Sequence, residues 1–357
     1  MESNWKASRC NSGTVPPAVT VRTPARPFSS ASAEHGGRIY FYLNEAISMD
    51  IVLIFVLALA LDLALGEPPS AIHPVVWMGK VIAFLIKGGK SRSQTTQFIY
   101  GMGVVLITMA VFVTAAYFLL AYLREFNLIV YVVVSAVVFK TCFSLRGLRQ
   151  AALKVKSLLM NDKLAEARFE LRALVGRDTG KLNKGLLISA TVESIAENSC
   201  DSFFAPLFYF LFLGVPGAVA YRVINTLDAM IGHHGEFEYL GKAAARLDTV
   251  VNYIPARLAA LTIILASWIA RTKTGTAWHM MVRDAGKTES PNAGWTMSAT
   301  AGALGVQLEK VGYYKLGESV NILSVSSIDI TLKLMIIATG VWAILILLSE
   351  VLWHVAT

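Results

Sequence analysis

Apolar residues in this chain come in runs too long for the core of a soluble protein. Residues 98 to 123 carry no charge, and at about 1.5 Å rise per residue they cross a hydrocarbon layer of about 30 Å. After a short turn at Arg124 to Asn127 a second apolar run reaches Phe139, with Lys140 placed to snorkel from its end. The pattern predicts a hairpin of two membrane helices. From Ile51 to Leu65 every residue except Asp62 is apolar, and Leu334 to Trp353 is interrupted only by Glu350. These predict a first and a last membrane helix. Two further stretches fit a full span less well: the run 203 to 221 is split by Gly214, Pro216 and Gly217, and the run 258 to 270 is short. Both read as re-entrant or short paired helices, which are tolerated where they line a protein cavity. The expected fold is an all-α, polytopic integral membrane protein.

Residues 146 to 175 follow a different rule. Leu148, Ala152, Val155 and Leu159, then Leu164, Leu171 and Leu174, recur at helical spacing among Arg and Lys, with a break near Asn161 and Asp162. This is an amphipathic helical hairpin, an arm resting on the protein or on anionic lipid, its charges forming a solvated face. Lys87, Lys90 and Arg92 precede the membrane hairpin and this basic arm follows it, so the positive-inside rule puts both ends in the cytoplasm.

Composition agrees: of 357 residues, 55% are hydrophobic and 16% charged, and the mean hydropathy is +0.56. A net charge of +8 would suggest nucleic acid in a soluble protein. Here the basic residues flank apolar segments and no aromatic-basic recognition motif accompanies them, so nucleic acid is not an expected partner. Cys10, Cys142 and Cys200 are widely spaced, without a CxxC pair, and form neither a zinc motif nor a disulfide framework. Residues 1 to 48 are rich in Ser, Pro, Thr and Arg and lack a signal-peptide core. A transit peptide is one reading; a leader or an early start is the preferred one, because Met49 stands directly before the first apolar helix. The expected organisation is a disordered leader, 1 to 48, and one membrane-embedded domain, 49 to 357.

The candidate chemistry centres on ESIAENSCDSFFAP, residues 193 to 206. Glu193, Glu197 and Asp201 recur every fourth residue and share one helix face. Like charges that close need a positive partner: a hard cation, a basic cluster, or both. Asp62 in its apolar helix is either functional or solvated at the interface. His73, locked before Pro74 in a segment broken by Pro68 and Pro69, is structural or catalytic. The glycine-rich GRDTGKLNKG, residues 176 to 185, departs from a phosphate-binding P-loop because Leu182 follows Lys181, yet Arg177 with Lys181 or Lys184 could hold phosphate oxygens or anchor the interface. Asn225 with Asp228, and Asp248 with Asn252, lie at helical spacing, with Arg222, Lys242, Arg246 and Arg257 as positive partners. Arg283, Asp284, Ser290 and Asn292 then precede a run of small residues suited to close helix packing.

The combination LDLALGEPPSAIHPVVWMG, LVGRDT, ESIAENSCDSFFAPLFYF, YRVINTLDAMIG, AARLDTVVNYIPARL and RDAGKTESPNAGWTMSATAGALGV resembles the CbiB/CobD family, adenosylcobinamide-phosphate synthases of cobalamin biosynthesis. The likeness runs from about residue 50 to the C-terminus. Glu67 stands where the family usually has Asp, and Ser202 where it usually has Gly.

The resemblance implies an ATP-dependent amide bond between a propionate of adenosylcobyric acid and aminopropanol or its phosphate, in the cell membrane with the site facing the cytoplasm. It also implies Mg2+, and other membrane enzymes of cobalamin assembly as possible partners. Fitted to that chemistry, Glu193, Glu197 and Asp201 would hold the metal, with Asp228 and Asp248 as further ligands or as a base for the amine. Arg177, Lys181, Arg246, Arg283 and Asn292 would hold nucleotide and phosphate groups, and His73 or Asp62 could shuttle a proton. Without the resemblance, a secondary transporter with intramembrane carboxylates is the chief rival. A non-catalytic scaffold, with its carboxylates paired off by arginines, is a third reading.

Overall fold

The computed structural model describes residues 49–89, 93–233, 235 and 237–356. The expected leader, Lys90 and Arg92 lie outside the described residues.

Helix α1 (Met49–Leu65) is followed by the proline-broken loop and α2 (Pro74–Leu85), which begins at Pro74 because its ring fixes a helical φ where no amide is needed. The membrane hairpin is α3 (Gln94–Phe126) and α4 (Leu128–Lys140). Asn127 ends α3 in an extended conformation, and its side chain accepts from the Val130 amide at 3.0 Å to cap α4. The arm is α5 (Leu145–Met160) and α6 (Leu164–Leu171), turning at Asn161 and at Asp162, which sits at positive φ. Leu148, Ala152, Val155, Leu159 and Leu171 are buried. Of the two resting places expected for the arm's apolar face, the protein provides one: α5 packs on α7 and α13, and Lys156 pairs with Asp329 at 2.7 Å.

α7 (Lys184–Ser199) continues through a π-helical turn, Cys200–Phe204, into α8 (Ala205–Ile231). Gly214, at φ 65° and ψ −163°, leaves the helical region just before Pro216, so the expected split falls inside α8. α9 (Lys242–Val251) and α10 (Tyr253–Ile269) meet at a bend of 47°. The short run at 258 to 270 is thus the second limb of a broken pair. α11 (Thr274–Asp284) and α12 (Ala293–Leu304) pack closely, with Gly302 against the backbone of Thr276 and Ala277. A two-stranded antiparallel hairpin follows, β1 (Gln307–Lys310) and β2 (Tyr314–Gly317), which the sequence reading did not anticipate. The last helix is α13 (Val325–Ala356).

The protein is a multi-pass helical membrane protein. Four stretches among the described residues are long and apolar enough to cross a membrane, within 94–126, 128–160, 184–231 and 325–348, and the bent pair α9–α10 adds a fifth if it crosses as one span. Leu106, Phe118 and Tyr122 of α3 are exposed, as side chains facing hydrocarbon are. α7 runs through the centre, buried on nearly every face from Leu187 to Ala196 and packed against α5, α6, α12, α13 and β1. Its polar residues therefore face either a partner or a cavity.

Candidate functional site

A cavity of about 520 Å³ opens beside α7. Its walls are Glu193, Ser194 and Glu197 of α7, the loop Leu174 to Arg177, the end of α8 with Asp228, Asp248 and Thr249 of α9, residues 288 to 291, and Lys310 and Tyr314 of the β-hairpin. One close approach builds the wall between α8 and α9: α8 ends at its C-cap Gly232, whose amide bonds to the Asp228 carbonyl at 2.7 Å, and a Cβ on Gly241 would fall 1.6 Å from the Ile231 carbonyl oxygen. Only a glycine lets the start of α9 sit so near the end of α8, which brings Asp228 and Asp248 to one cavity.

Glu193 is fully engaged. Arg177 Nη2 lies 3.1 Å from Oε2, the Tyr314 hydroxyl donates to the same oxygen at 2.9 Å, and Ser189 donates to Oε1 at 2.7 Å. Ser189 in turn accepts from the Glu309 amide at 2.8 Å, so one carboxylate ties α7 to the glycine-rich loop and to the hairpin. Burial and the charge of Glu193 hold the Tyr314 phenol above its usual range, so it remains a donor. Arg177 keeps one group in reserve: Nε is buried with no hydrogen-bond partner.

The three carboxylates expected to form a metal set do not converge. Among the described residues no three His, Cys, Asp or Glu side chains are grouped to hold a metal. Glu193 is spent on Arg177, and the π-helical turn at Cys200–Phe204 widens the helix and re-aims Asp201, which is absent from the cavity lining. The Tyr221 hydroxyl lies 3.4 Å from Asp201 Oδ1 and 2.9 Å from Asn252 Oδ1. Asn252 then donates to Asp248 Oδ2 at 3.0 Å. A buried polar chain thus runs from behind the cavity to its wall. Tyr221 is fixed from the other side by stacking on Tyr209, whose hydroxyl bonds to the Val251 carbonyl at 2.9 Å.

Residues 55–337 match the CobD/Cbib protein family. The chain belongs to that family. It is 52% identical over 297 residues, 83% of this chain and 96% of the relative, to the cobalamin biosynthesis protein CobD of Dehalococcoides mccartyi (strain CBDB1). It is 41% identical over 274 residues, 76% of this chain and 88% of the relative, to a probable cobalamin biosynthesis protein CobD of Methanothermobacter thermautotrophicus. A probable CobD of Methanocaldococcus jannaschii is 38% identical over 269 residues, 74% of this chain and 88% of that relative. No solved structure matches the chain. Its family is one of cobalamin biosynthesis proteins.

In this CobD/Cbib chain the cavity gathers Arg177, Glu193, Glu197, Asp228, Asp248 and Ser290 of the residues singled out from sequence. The others lie outside its lining. Asp62 is completely buried, pairs with Lys140 at 3.1 Å and accepts from the Leu145 and Arg146 amides at 3.2 and 3.0 Å. It caps α5 from another helix, with no place in a proton path to the cavity. His73 Nδ1 accepts from the Val75 amide at 3.2 Å to cap α2, which leaves the proton on Nε2, 2.9 Å from Glu67. Lys181 and Arg246 are exposed on the outer surface. Arg283 makes a two-pronged bond to Asp284 at 2.7 and 2.8 Å and another bond to Glu318. Asp284 also accepts from the Gly317 amide at 2.7 Å, so this pair fastens the hairpin to α11 rather than facing the cavity. Asn292 stands behind the wall, donating to the Thr249 carbonyl at 2.8 Å and accepting from Arg257 at 3.2 Å.

Sequence reasoning missed Lys310, Tyr314 and His233, all of which line the cavity. A signal for the first two exists in QLEKVGYYKLG, where Gly312 separates two short segments carrying inward Leu308 and Leu316.

Proposed function

We propose that this protein is an adenosylcobinamide-phosphate synthase, joining a propionate of adenosylcobyric acid to the amine of aminopropanol or its phosphate at the expense of ATP. The observation that carries the reading is the cavity itself, where Arg177 and Lys310 stand with Glu197, Asp228 and Asp248. Cationic nitrogens suit phosphates, and hard carboxylate oxygens suit Mg2+ and an ammonium.

A carboxylate is a poor electrophile until it is phosphorylated. The substrate carboxylate oxygen attacks the γ-phosphorus of ATP and ADP leaves. The ammonium gives one proton to a cavity carboxylate, and the freed amine nitrogen attacks the acyl carbon; the C–O bond to phosphate breaks, and the departing phosphate takes the second N–H proton as the amide forms. Arg177, through its unpartnered Nε, and Lys310 hold phosphate oxygens in this scheme. Glu197 and Asp228 make no ion pair among the described residues and would be the oxygen donors for magnesium. Absence of a three-carboxylate set fits that ion, which is commonly held by one or two carboxylates together with substrate phosphates and water. When bound, magnesium supplies charge neutralisation on the transferred phosphate.

The loop 174 to 177 lines the cavity and directly continues the basic arm, so the cavity opens on the side where the arm lies. The positive-inside rule makes that side the cytoplasm of a cell membrane. The scaffold reading requires every carboxylate to be paired with arginine; Glu193 is so paired, whereas Glu197, Asp228 and Asp248 make no ion pair among the described residues.

The test uses purified full-length protein with Mg-ATP, adenosylcobyric acid and aminopropanol phosphate. ADP release that depends on both co-substrates and matches amide product is expected. ATP consumption independent of the corrinoid, or none at all, overturns the reading.

A further inference from the structure

We infer that Asp248 receives the primary ammonium of the amino-alcohol substrate and that Asn252 and Tyr221 position it for that task. This rests on the proposed reaction and assigns one end of its cavity. Glu193 has no oxygen to offer, since Arg177, Tyr314 and Ser189 occupy both. Asp248 is built differently. Oδ2 is locked by the Asn252 amide at 3.0 Å, while Oδ1 is buried and makes no hydrogen bond. Asn225 of α8 also bears on this carboxylate, through its neutral amide. Asp248 makes no ion pair among the described residues. A carboxylate withdrawn from water, held by neutral amides and paired with no cation among the described residues, calls for a cation from outside the protein.

The shape of the support says which cation. Asn252 is itself oriented by the Tyr221 hydroxyl at 2.9 Å, and Tyr221 by ring stacking on Tyr209. Asn252, Tyr221 and Tyr209 are neutral and bring no cation to Asp248, and Tyr221 also lies 3.4 Å from the Asp201 carboxylate behind the cavity. One rigidly aimed oxygen suits the directional N–H donors of an ammonium, with the Thr249 hydroxyl on the same wall. Glu197 and Asp228 are the carboxylates assigned to magnesium in the proposed reaction, which leaves Asp248 for the amine. The amine is then held at the Asp248 wall, leaving its phosphate or hydroxyl end to meet Arg177 and Lys310, which line the same cavity.

The test compares thermal stabilisation of full-length protein, in detergent and magnesium-free buffer with chelator, by aminopropanol phosphate and by propanediol phosphate, which carries a neutral hydroxyl in place of the amine. Wild type is expected to bind the amine form more tightly by a factor on the order of thirty. Asp248→Asn should erase that preference and leave the weaker binding of the amine-free compound unchanged. Tyr221→Phe, which removes one hydroxyl, should reduce the preference several-fold and, under turnover, raise KM for the amine without changing KM for ATP. Equal binding of the two compounds by wild type, or an undiminished preference in Asp248→Asn, overturns the inference. So does an Asp248→Asn protein whose sole change is a higher magnesium requirement. Failure of the proposed reaction is read separately, as absence of corrinoid-dependent ADP release from wild type.

Discussion

Arg177 meets Glu193 with Nη2 3.1 Å from Oε2, across the gap between the glycine-rich loop and the central helix. The Arg177 and Glu193 side chains are 18% and 5% exposed, so each neutralises a charge that water reaches poorly. Breaking such a buried pair from one side costs about 3–5 kcal/mol, because the remaining charge stays behind. Glu193→Ala should therefore lower the thermal midpoint markedly, having also unpaired Ser189 and Tyr314. Glu193→Gln should fall less, since its amide oxygen still accepts from one donor. Melting of the alanine variant at the wild-type temperature would show that the pair contributes no stability.

Lys140 holds together two acidic groups, Asp62 at 3.1 Å and Glu67 at 3.0 Å, and its own side chain is only 6% exposed. Asp62→Ala removes a buried partner and strips the first amides of α5 of their cap. A destabilisation of about 3–5 kcal/mol is expected. Activity per folded molecule should persist, because Asp62 is outside the cavity. Calorimetry in detergent together with turnover normalised to folded protein distinguishes this from a catalytic role, which would abolish turnover at unchanged stability.

Burial pushes the Glu67 carboxyl up, yet hydrogen bonds from His73, Ser144 and Lys140 outweigh it and hold the pKa at about 2, below an ordinary value of 4.5. A depressed carboxyl pKa adds stability that is present above the unfolded value and lost as pH falls through the folded one. The stability gap between wild type and Glu67→Gln should be constant above about pH 5 and close as pH drops from 4.5 toward 2. Midpoints measured across that range check it; a gap that widened on acidification would have the wrong sign for this carboxylate.

A methyl group at Gly241 would fall 1.6 Å from the Ile231 carbonyl oxygen, whereas one at Gly275 meets nothing within 4 Å. Gly241→Ala must move α9 away from α8 and pull Asp248 from Asp228, so both stability and turnover should drop. Gly275→Ala, inside α11, should be neutral or stabilising by about 0.5–1 kcal/mol. Equal behaviour of the two variants in melting and activity would remove the packing argument for the α8–α9 wall.

Hydrophobic period and length determined much of the fold from sequence alone. The membrane hairpin, the amphipathic arm with its break at Asn161 and Asp162, the split at Gly214 and the terminal helix all follow from runs and spacings that local geometry obeys. The helix face shared by Glu193 and Glu197, and the recurrence of Asp228 and Asp248, were legible for the same reason. What those side chains meet was not. The partners of Glu193 come from 16 residues before it and 121 residues after it, the latter on a hairpin too short to register against the surrounding helices. Asp201 was turned from the cavity by one π-helical turn, which the even spacing of carboxylates conceals. Asp62 and Arg283 looked like site residues because an isolated charge in apolar sequence carries no sign of its partner. Periodicity tells which way a side chain faces along its own helix; only tertiary packing decides whether a cation, a backbone amide or an open cavity stands opposite.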